Sequence, residues 1–151
     1  MNKNIALLQI TENKTFINRT EGVIALPLGS KSVSERYFKH TPPTEYDMEI
    51  AINTVEDALM PIVAAIKEGN YRLVTLDKIA KDIAHYAKTE GTNLNVKDVE
   101  EIFSRIAAIV TGRPASTDIL PENNEFIAYE LILREVMNHL GFHNIALINY
   151  K

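Results

Sequence analysis

Apolar positions follow two rhythms along this chain. Asn4–Ile10 (NIALLQI) is a continuous apolar run of strand length, and Thr15–Thr20 (TFINRT) alternates with period two. The polar segment TENK separates them, and Glu21-Gly22 makes the next turn. Val23–Leu28 (VIALPL) predicts a third strand, with Pro27 near its end, where a lost ladder bond is tolerated. Three strands joined by short polar turns predict an antiparallel meander.

The rhythm then lengthens to that of a helix. Pro42-Pro43-Thr44-Glu45 starts one, because a proline in a first turn lacks only an N–H that had no helical partner. Met48, Ile52, Val55, Leu59, Ile62 and Ile66 form its apolar stripe, with Glu49, Glu56 and Asp57 off it. Pro61 predicts a kink or break, and Gly69-Asn70 a stop. Tyr71–Leu76 reads as a fourth strand. Asp77 reads as the N-cap of a helix carrying Ile79, Ile83 and Tyr86 on one face, ended by Gly91. Asn95 caps the next helix, with Asp98 near its positive end and Val99, Ile102, Phe103, Ile106, Ile109 and Val110 facing the core. Thr111–Glu122 is a loop. Asn123 or Asn124 opens the last helix, with Ile127, Leu131, Val136 and Leu140 inward and Gly141 as a left-handed C-cap. Asn144–Tyr150 (NIALINY) is the closing strand.

The predicted order is β-β-β-α-β-α-α-α-β. A meander followed by strands alternating with helices predicts an α/β fold with a mixed five-stranded sheet, its first three strands antiparallel and helices packed on it. That plan is ribonuclease-H-like, the plan of an actin-like half-domain. Residues 1–151 read as one such unit, with no repeat or linker. The initiating Met and the completed final strand are expected of a stand-alone protein.

Composition narrows the chemistry. The chain has 151 residues, 46% apolar and 24% charged, which is ordinary for a folded globular domain. With no cysteine, disulfides, thiolate metal sites and a Cys nucleophile are excluded. The net charge of -4, without a basic block, argues against nucleic acid as a partner. No apolar run has the length of a membrane span, and the N-terminus lacks the pattern of a signal peptide, so a cytoplasmic location is expected.

Gly29-Ser30-Lys31-Ser32 superficially suggests a phosphate loop. A Walker loop needs Gly, four residues, then Gly-Lys-Ser/Thr between a strand and a helix. Here Lys31 does not follow the glycine directly and no earlier glycine stands at the required distance. The segment is read as a turn at Gly29 followed by a connecting strand.

The stretch ALPLGSKSVSERYFKHTPPTEYDMEIAINTVEDAL nevertheless resembles the exopolyphosphatase / guanosine pentaphosphate phosphohydrolase (Ppx/GppA) family. Leu26, Pro27, Leu28 and Gly29 match its Leu-Pro-Leu-Gly. Ser34, Glu35, Arg36 and Tyr37 are similar to its Thr-Glu-Arg-Phe, and Pro42-Pro43 falls at the right distance. NLNVKDVEEIFSRIAAI resembles a helix of that family. Leu131–Glu135 and Leu140-Gly141 resemble its last helix. The resemblance covers most of the chain, and only the second actin-like half of the family's proteins.

What the resemblance implies is a scaffold without its phosphate surface. The family's first glycine-rich turn corresponds to LLQITENKTFI, and its second to Val74-Thr75-Leu76-Asp77-Lys78; neither contains glycine. Those glycines let backbone N–H groups approach phosphate oxygens. An arginine of the family falls on Ser32, an Arg-Ala-Asp on Glu122-Asn123-Asn124, and a helix glycine on Tyr129. The half that supplies the family's catalytic acid has no counterpart. Glu12, Asn13, Lys14, Thr75 and Asp77 are therefore the candidate ligand-contacting residues, as occupants of the two turns. Leu26, Pro27, Gly29, Glu35, Arg36, Pro42 and Pro43 are structural signatures, and no catalytic residue is assigned.

The implied function is an exopolyphosphatase-related interaction or regulatory domain without catalysis, needing no cofactor. Its partner would be a second copy or another protein across the former cleft face. Two alternatives stand beside it: a Mg²⁺-dependent phosphatase on polyphosphate or pppGpp, its cleft completed by a partner, and a phosphate or nucleotide sensor. His139 and His143 are four apart, but Gly141 between them ends the helix and no third ligand is evident, so no metal is expected. Ser34-Glu35-Arg36 is read as structure. Asp118, Glu122 and Glu125 are read as a solvated acidic cap.

Overall fold

A computed structural model describes residues 4–149. The meander is β1 (Ile5–Ile10), β2 (Thr15–Arg19) and β3 (Gly22–Leu26), paired antiparallel, with Leu8 opposite Ile17 and Ile17 opposite Ile24. Pro27 lies just past β3, where it removes no ladder bond. β4 (Arg72–Thr75) and β6 (Asn144–Leu147) then add parallel to β1. Tyr150, the end of the predicted closing strand, lies outside the described residues.

Two elements differ from expectation. The segment after Gly29 is a helix, α1 (Ser30–Tyr37), rather than a turn and connecting strand. Its serines and single Val33 disguise it: only Ser30, Val33 and Ser34 are buried, so no long apolar stripe marks it. The second is β5 (Asn93–Asn95), a three-residue edge strand antiparallel to β6. With one buried residue, Leu94, it is too short to show a period. The sheet therefore has six strands in the order β3-β2-β1-β4-β6-β5.

The remaining helices are α2 (Glu45–Leu59), α3 (Val63–Gly69), α4 (Lys78–Tyr86), α5 (Val96–Val110) and α6 (Asn124–Leu140). A 3₁₀ turn, Met60–Ile62, holds Pro61 and divides α2 from α3, as the missing proline N–H requires. Thr44 and Asp47 cap α2 reciprocally, and Asn95 and Asp98 cap α5 in the same way. Asn123 caps α6 at the Phe126 N–H, and Gly141 closes it at φ 78°.

α6 is the axis of the core. It buries twelve of its seventeen residues and touches every other helix, so it is surrounded rather than amphipathic. Ala6, Leu8, Ile10, Ile17, Leu26, Leu73, Leu94 and Ile145 turn the same sheet face into this core. The opposite face carries a row across all six strands: Val23, Asn18, Leu7, Val74, Ala146 and Asn93. None of these six belongs to the core cluster; Val23 at the edge is 60% exposed, whereas Val74 and Ala146 near the centre are 5% and 4% exposed. Among the described residues, no helix is long and apolar enough to cross a membrane.

Candidate functional site

The turn between β1 and β2 holds Glu12, Asn13 and Lys14, all exposed. It closes on itself: the Thr11 N–H donates to the Lys14 carbonyl at 2.8 Å, and the Lys14 N–H donates to Thr11 Oγ1 at 3.1 Å. Its carbonyls point at the start of α1. The Ser30 N–H donates to the Thr11 carbonyl at 3.0 Å, and the Lys31 and Ser32 N–H groups donate to the Glu12 carbonyl at 2.9 and 3.0 Å. A helix start of this kind attracts anions through free N–H groups and a positive dipole end. Here three such groups already hold backbone oxygens.

Gly29 makes the approach possible. A Cβ there would lie 2.4 Å from the Thr11 oxygen and 2.5 Å from the Asn13 nitrogen. The glycine of the Leu-Pro-Leu-Gly signature thus lets the turn and helix start meet directly.

The second candidate turn closes by a different route. Thr75 is fully buried; its hydroxyl donates to the Leu8 carbonyl at 2.9 Å and accepts the Asp77 N–H at 3.0 Å. Asp77 was expected to cap α4, but its side chain makes no cap bond. Its Oδ2 instead accepts the Ile10 N–H at 2.9 Å and the Tyr129 hydroxyl at 2.7 Å. The carboxyl therefore ties the end of β1 to α6. Burial raises it above its usual range, opposed by the Ile10 N–H, then the Tyr129 and Thr75 hydroxyls. Burial, and then the charge of Asp77, push the Tyr129 phenol well up, so it stays protonated and donates.

The structure thus brings Thr75 and Asp77 together at the end of β1, while Glu12, Asn13 and Lys14 close over α1. Tyr129 is 1% exposed and fills the region where the resemblance places a glycine. Sequence reasoning missed its role as the partner of Asp77; the available signal was a lone hydroxyl inside the apolar run FIAYELIL. Among the structural signatures, Leu26 and Pro43 are buried, while Pro27, Pro42, Glu35 and Arg36 are exposed. Ser34 is buried and donates to the Lys31 carbonyl, so Ser34-Glu35-Arg36 is part of α1 rather than a polar site.

Two further acids differ from a surface reading. Asp118 is not a solvated cap: its side chain is 6% exposed and clamped by Arg105, at 2.6 and 3.0 Å, and by Arg113. The Arg105 guanidinium, opposed by burial, holds its carboxyl well below the usual range. Glu130 on α6 is fully buried, and neither of its side-chain oxygens has a hydrogen-bond partner. Burial pushes it well above the usual range, so it is held as the neutral acid.

No protein-family model matches the chain, and no curated protein matches it in sequence. Solved structures do. The Ppx/GppA enzyme of Aquifex aeolicus superposes with a TM-score of 0.78 at 16% identity, over 99% of this chain and 55% of that one. An exopolyphosphatase of Cytophaga hutchinsonii superposes with a TM-score of 0.70 at 13% identity, over 99% and 54%. An exopolyphosphatase-like protein gives 0.75 at 11% identity, over 96% and 55%. The chain spans about half the length of each of these structures. Its mixed sheet and single cluster of helices therefore have the fold of one actin-like half of a Ppx/GppA protein.

Proposed function

We propose that this chain is an exopolyphosphatase-related protein without catalytic activity, acting as an interaction or regulatory domain in the cytoplasm. One observation carries the reading. The N–H groups of Ser30, Lys31 and Ser32 are hydrogen-bonded to the carbonyls of Thr11 and Glu12. A phosphate entering there would meet acceptor oxygens in place of donors, and those N–H groups would have to break existing bonds to receive it. At the second turn Asp77 also presents an acceptor group, and Tyr129 occupies the adjoining space.

The partner we propose is a second copy or another protein across the former cleft face, and for a second copy the sheet face turned away from α6 is a further docking surface. The row Val23–Asn18–Leu7–Val74–Ala146–Asn93 carries no charge, in a chain that is 24% charged. Depletion of charge is the compositional mark of an interface centre, and exposed Arg72 in the next row of the same face sits at its rim. Six strands about 4.8 Å apart and about five residues long give a face of roughly 450 Å². Two such faces bury at most roughly 900 Å², since Val74 and Ala146 are already covered within one chain; that is short of the standard class of about 1,200–2,000 Å², so a dimer on this face is weak and concentration-dependent.

Phosphate release from polyphosphate and pppGpp, with Mg²⁺ present, tests the absence of catalysis. No release above buffer is expected. Turnover abolished by EDTA would overturn the reading in favour of a phosphatase completed by a partner. Thermal shifts with phosphate or nucleotides, without turnover, would favour a sensor. Sedimentation velocity over a concentration series tests the dimer: association weakened by Val23→Lys is expected, and a monomer throughout would refute self-association.

A further inference from the structure

Away from both turns, α2 and α6 bring three metal-binding side chains together. His139 Nε2 lies 3.2 Å from Glu135 Oε1 and 3.4 Å from Glu56 Oε1, and one donor atom from each residue lies within 4.8 Å of the other two. Tetrahedral Zn²⁺ with bonds of about 2.0–2.2 Å sets neighbouring ligands about 3.3–3.6 Å apart. The Glu56 separation falls in that range and the Glu135 separation just below it, while the two carboxylates lie within 4.8 Å of each other and would adjust around an ion.

The surroundings support the same use. Glu135 is oriented by its neighbour: Arg134 Nη1 donates to Oε2 at 2.8 Å, leaving Oε1 directed at His139. Arg134 is itself fixed by bonds of 2.7 and 3.3 Å to Glu100, and its guanidinium carbon lies 4.0 Å from the Phe103 ring centroid. Outer partners that hold one carboxylate oxygen and free the other are the usual support of a metal ligand. Arg134 brings a positive charge near the site, but Glu100 balances it.

Access also fits. The Glu135 side chain is 3% exposed, whereas His139 and Glu56 are 32% and 38% exposed. A buried carboxylate with two half-open partners offers an ion an entry path and room for water as a fourth ligand. Imidazole with carboxylates suits Zn²⁺, while Mg²⁺ and Ca²⁺ take oxygen ligands.

We propose that Glu56, Glu135 and His139 form a binding site for one Zn²⁺ ion, with water completing the coordination. The site bridges α2 and α6 and is independent of the functional reading above. From sequence, His139 and His143 are set aside because Gly141 ends the helix between them, and no metal is expected for want of a third ligand; the fold instead brings Glu56 and Glu135 to His139.

The test is titration of chelator-treated protein with Zn²⁺ by calorimetry, and with Co²⁺ by visible absorption. One saturable equivalent with a tetrahedral Co²⁺ spectrum is expected. Glu56→Gln, Glu135→Gln and His139→Gln should each weaken binding at least about tenfold, while His40→Gln, at the separate His40–Asp47 pair, leaves it unchanged. Circular dichroism shows that each variant is folded, and Glu56→Gln alters a half-open side chain that the core does not need. No saturable binding would leave His139 as an ion-paired histidine and overturn the proposal. Equal affinity in all three variants would place any binding elsewhere and overturn it too.

Discussion

Replacing Glu130 by Met should make the protein more stable, and increasingly so as pH rises. Both Glu130 oxygens are buried without a partner. A polar group left in that state costs about 1–3 kcal/mol, and Met of similar length removes the cost while keeping the contacts of the chain. The proton adds a second contribution. The folded acid is held neutral well above its ordinary value of 4.5, whereas the unfolded chain releases its proton near that value. Between the two values the folded state binds more protons, so this group's stabilising contribution is full below the unfolded pKa and is lost as pH rises through the folded one. The loss is about 1.4 kcal/mol per pH unit within that window. Glu130→Met should therefore gain about 1–3 kcal/mol at pH 4.5 and more at pH 7. Each kcal/mol corresponds to about 2–4 °C in Tm for a chain of this size. Urea melts of both proteins at the two pH values read this directly. A variant less stable than the parent, or a difference that does not grow with pH, would refute the reasoning.

Three other substitutions probe the remaining features. Gly29→Ala should cost about 2–3 kcal/mol, because the turn carbonyls must back away from α1; chemical denaturation gives the loss, and amide exchange at Ser30–Ser32 should accelerate. Asp118→Asn should cost about 2–3 kcal/mol at neutral pH by unclamping Arg105 and Arg113, which are themselves partly exposed. Because the folded Asp118 carboxyl lies below its usual range, its contribution is present above the unfolded pKa and is lost as pH falls through the folded one. The parent and Asp118→Asn should thus converge in stability in acid melts. Tyr129→Phe should cost about 1–2 kcal/mol by removing one of the bonds to Asp77, measured by thermal denaturation.

The long elements were legible from sequence because burial there follows a period. β1 and β2 show runs and alternation, α2 and α5 show clean stripes, and Asn95, Asn123 and Gly141 sit where capping chemistry needs them. What escaped notice lacks a period. α1 buries two serines and one valine, so its helix is sustained by the turn beneath it as much as by apolar contact. β5 has a single inward residue. The candidate turns could be located from the resemblance, but their closure could not, because it depends on backbone carbonyls that every residue possesses. Asp77 shows the same limit. An acid before a helix reads as a cap, and only the fold brings Ile10 and Tyr129 close enough to claim it.

The central place of β1 bears on how the chain folds. On one edge β1 pairs with β2 across a short turn, and on the other with β4, whose Thr75 lies 67 residues from its partner Leu8. Loop closure over the short distance is fast, while the long closure delays β4. The meander with α1 should therefore form first, leaving the apolar strand IALLQI with an open edge until β4 arrives. An open apolar edge is a template for pairing between chains. Refolding yield should fall with protein concentration, and pulse-labelled amides of β1 and β2 should gain protection before those of β4 and β6. The same strand that anchors the finished sheet is then its most vulnerable part during assembly.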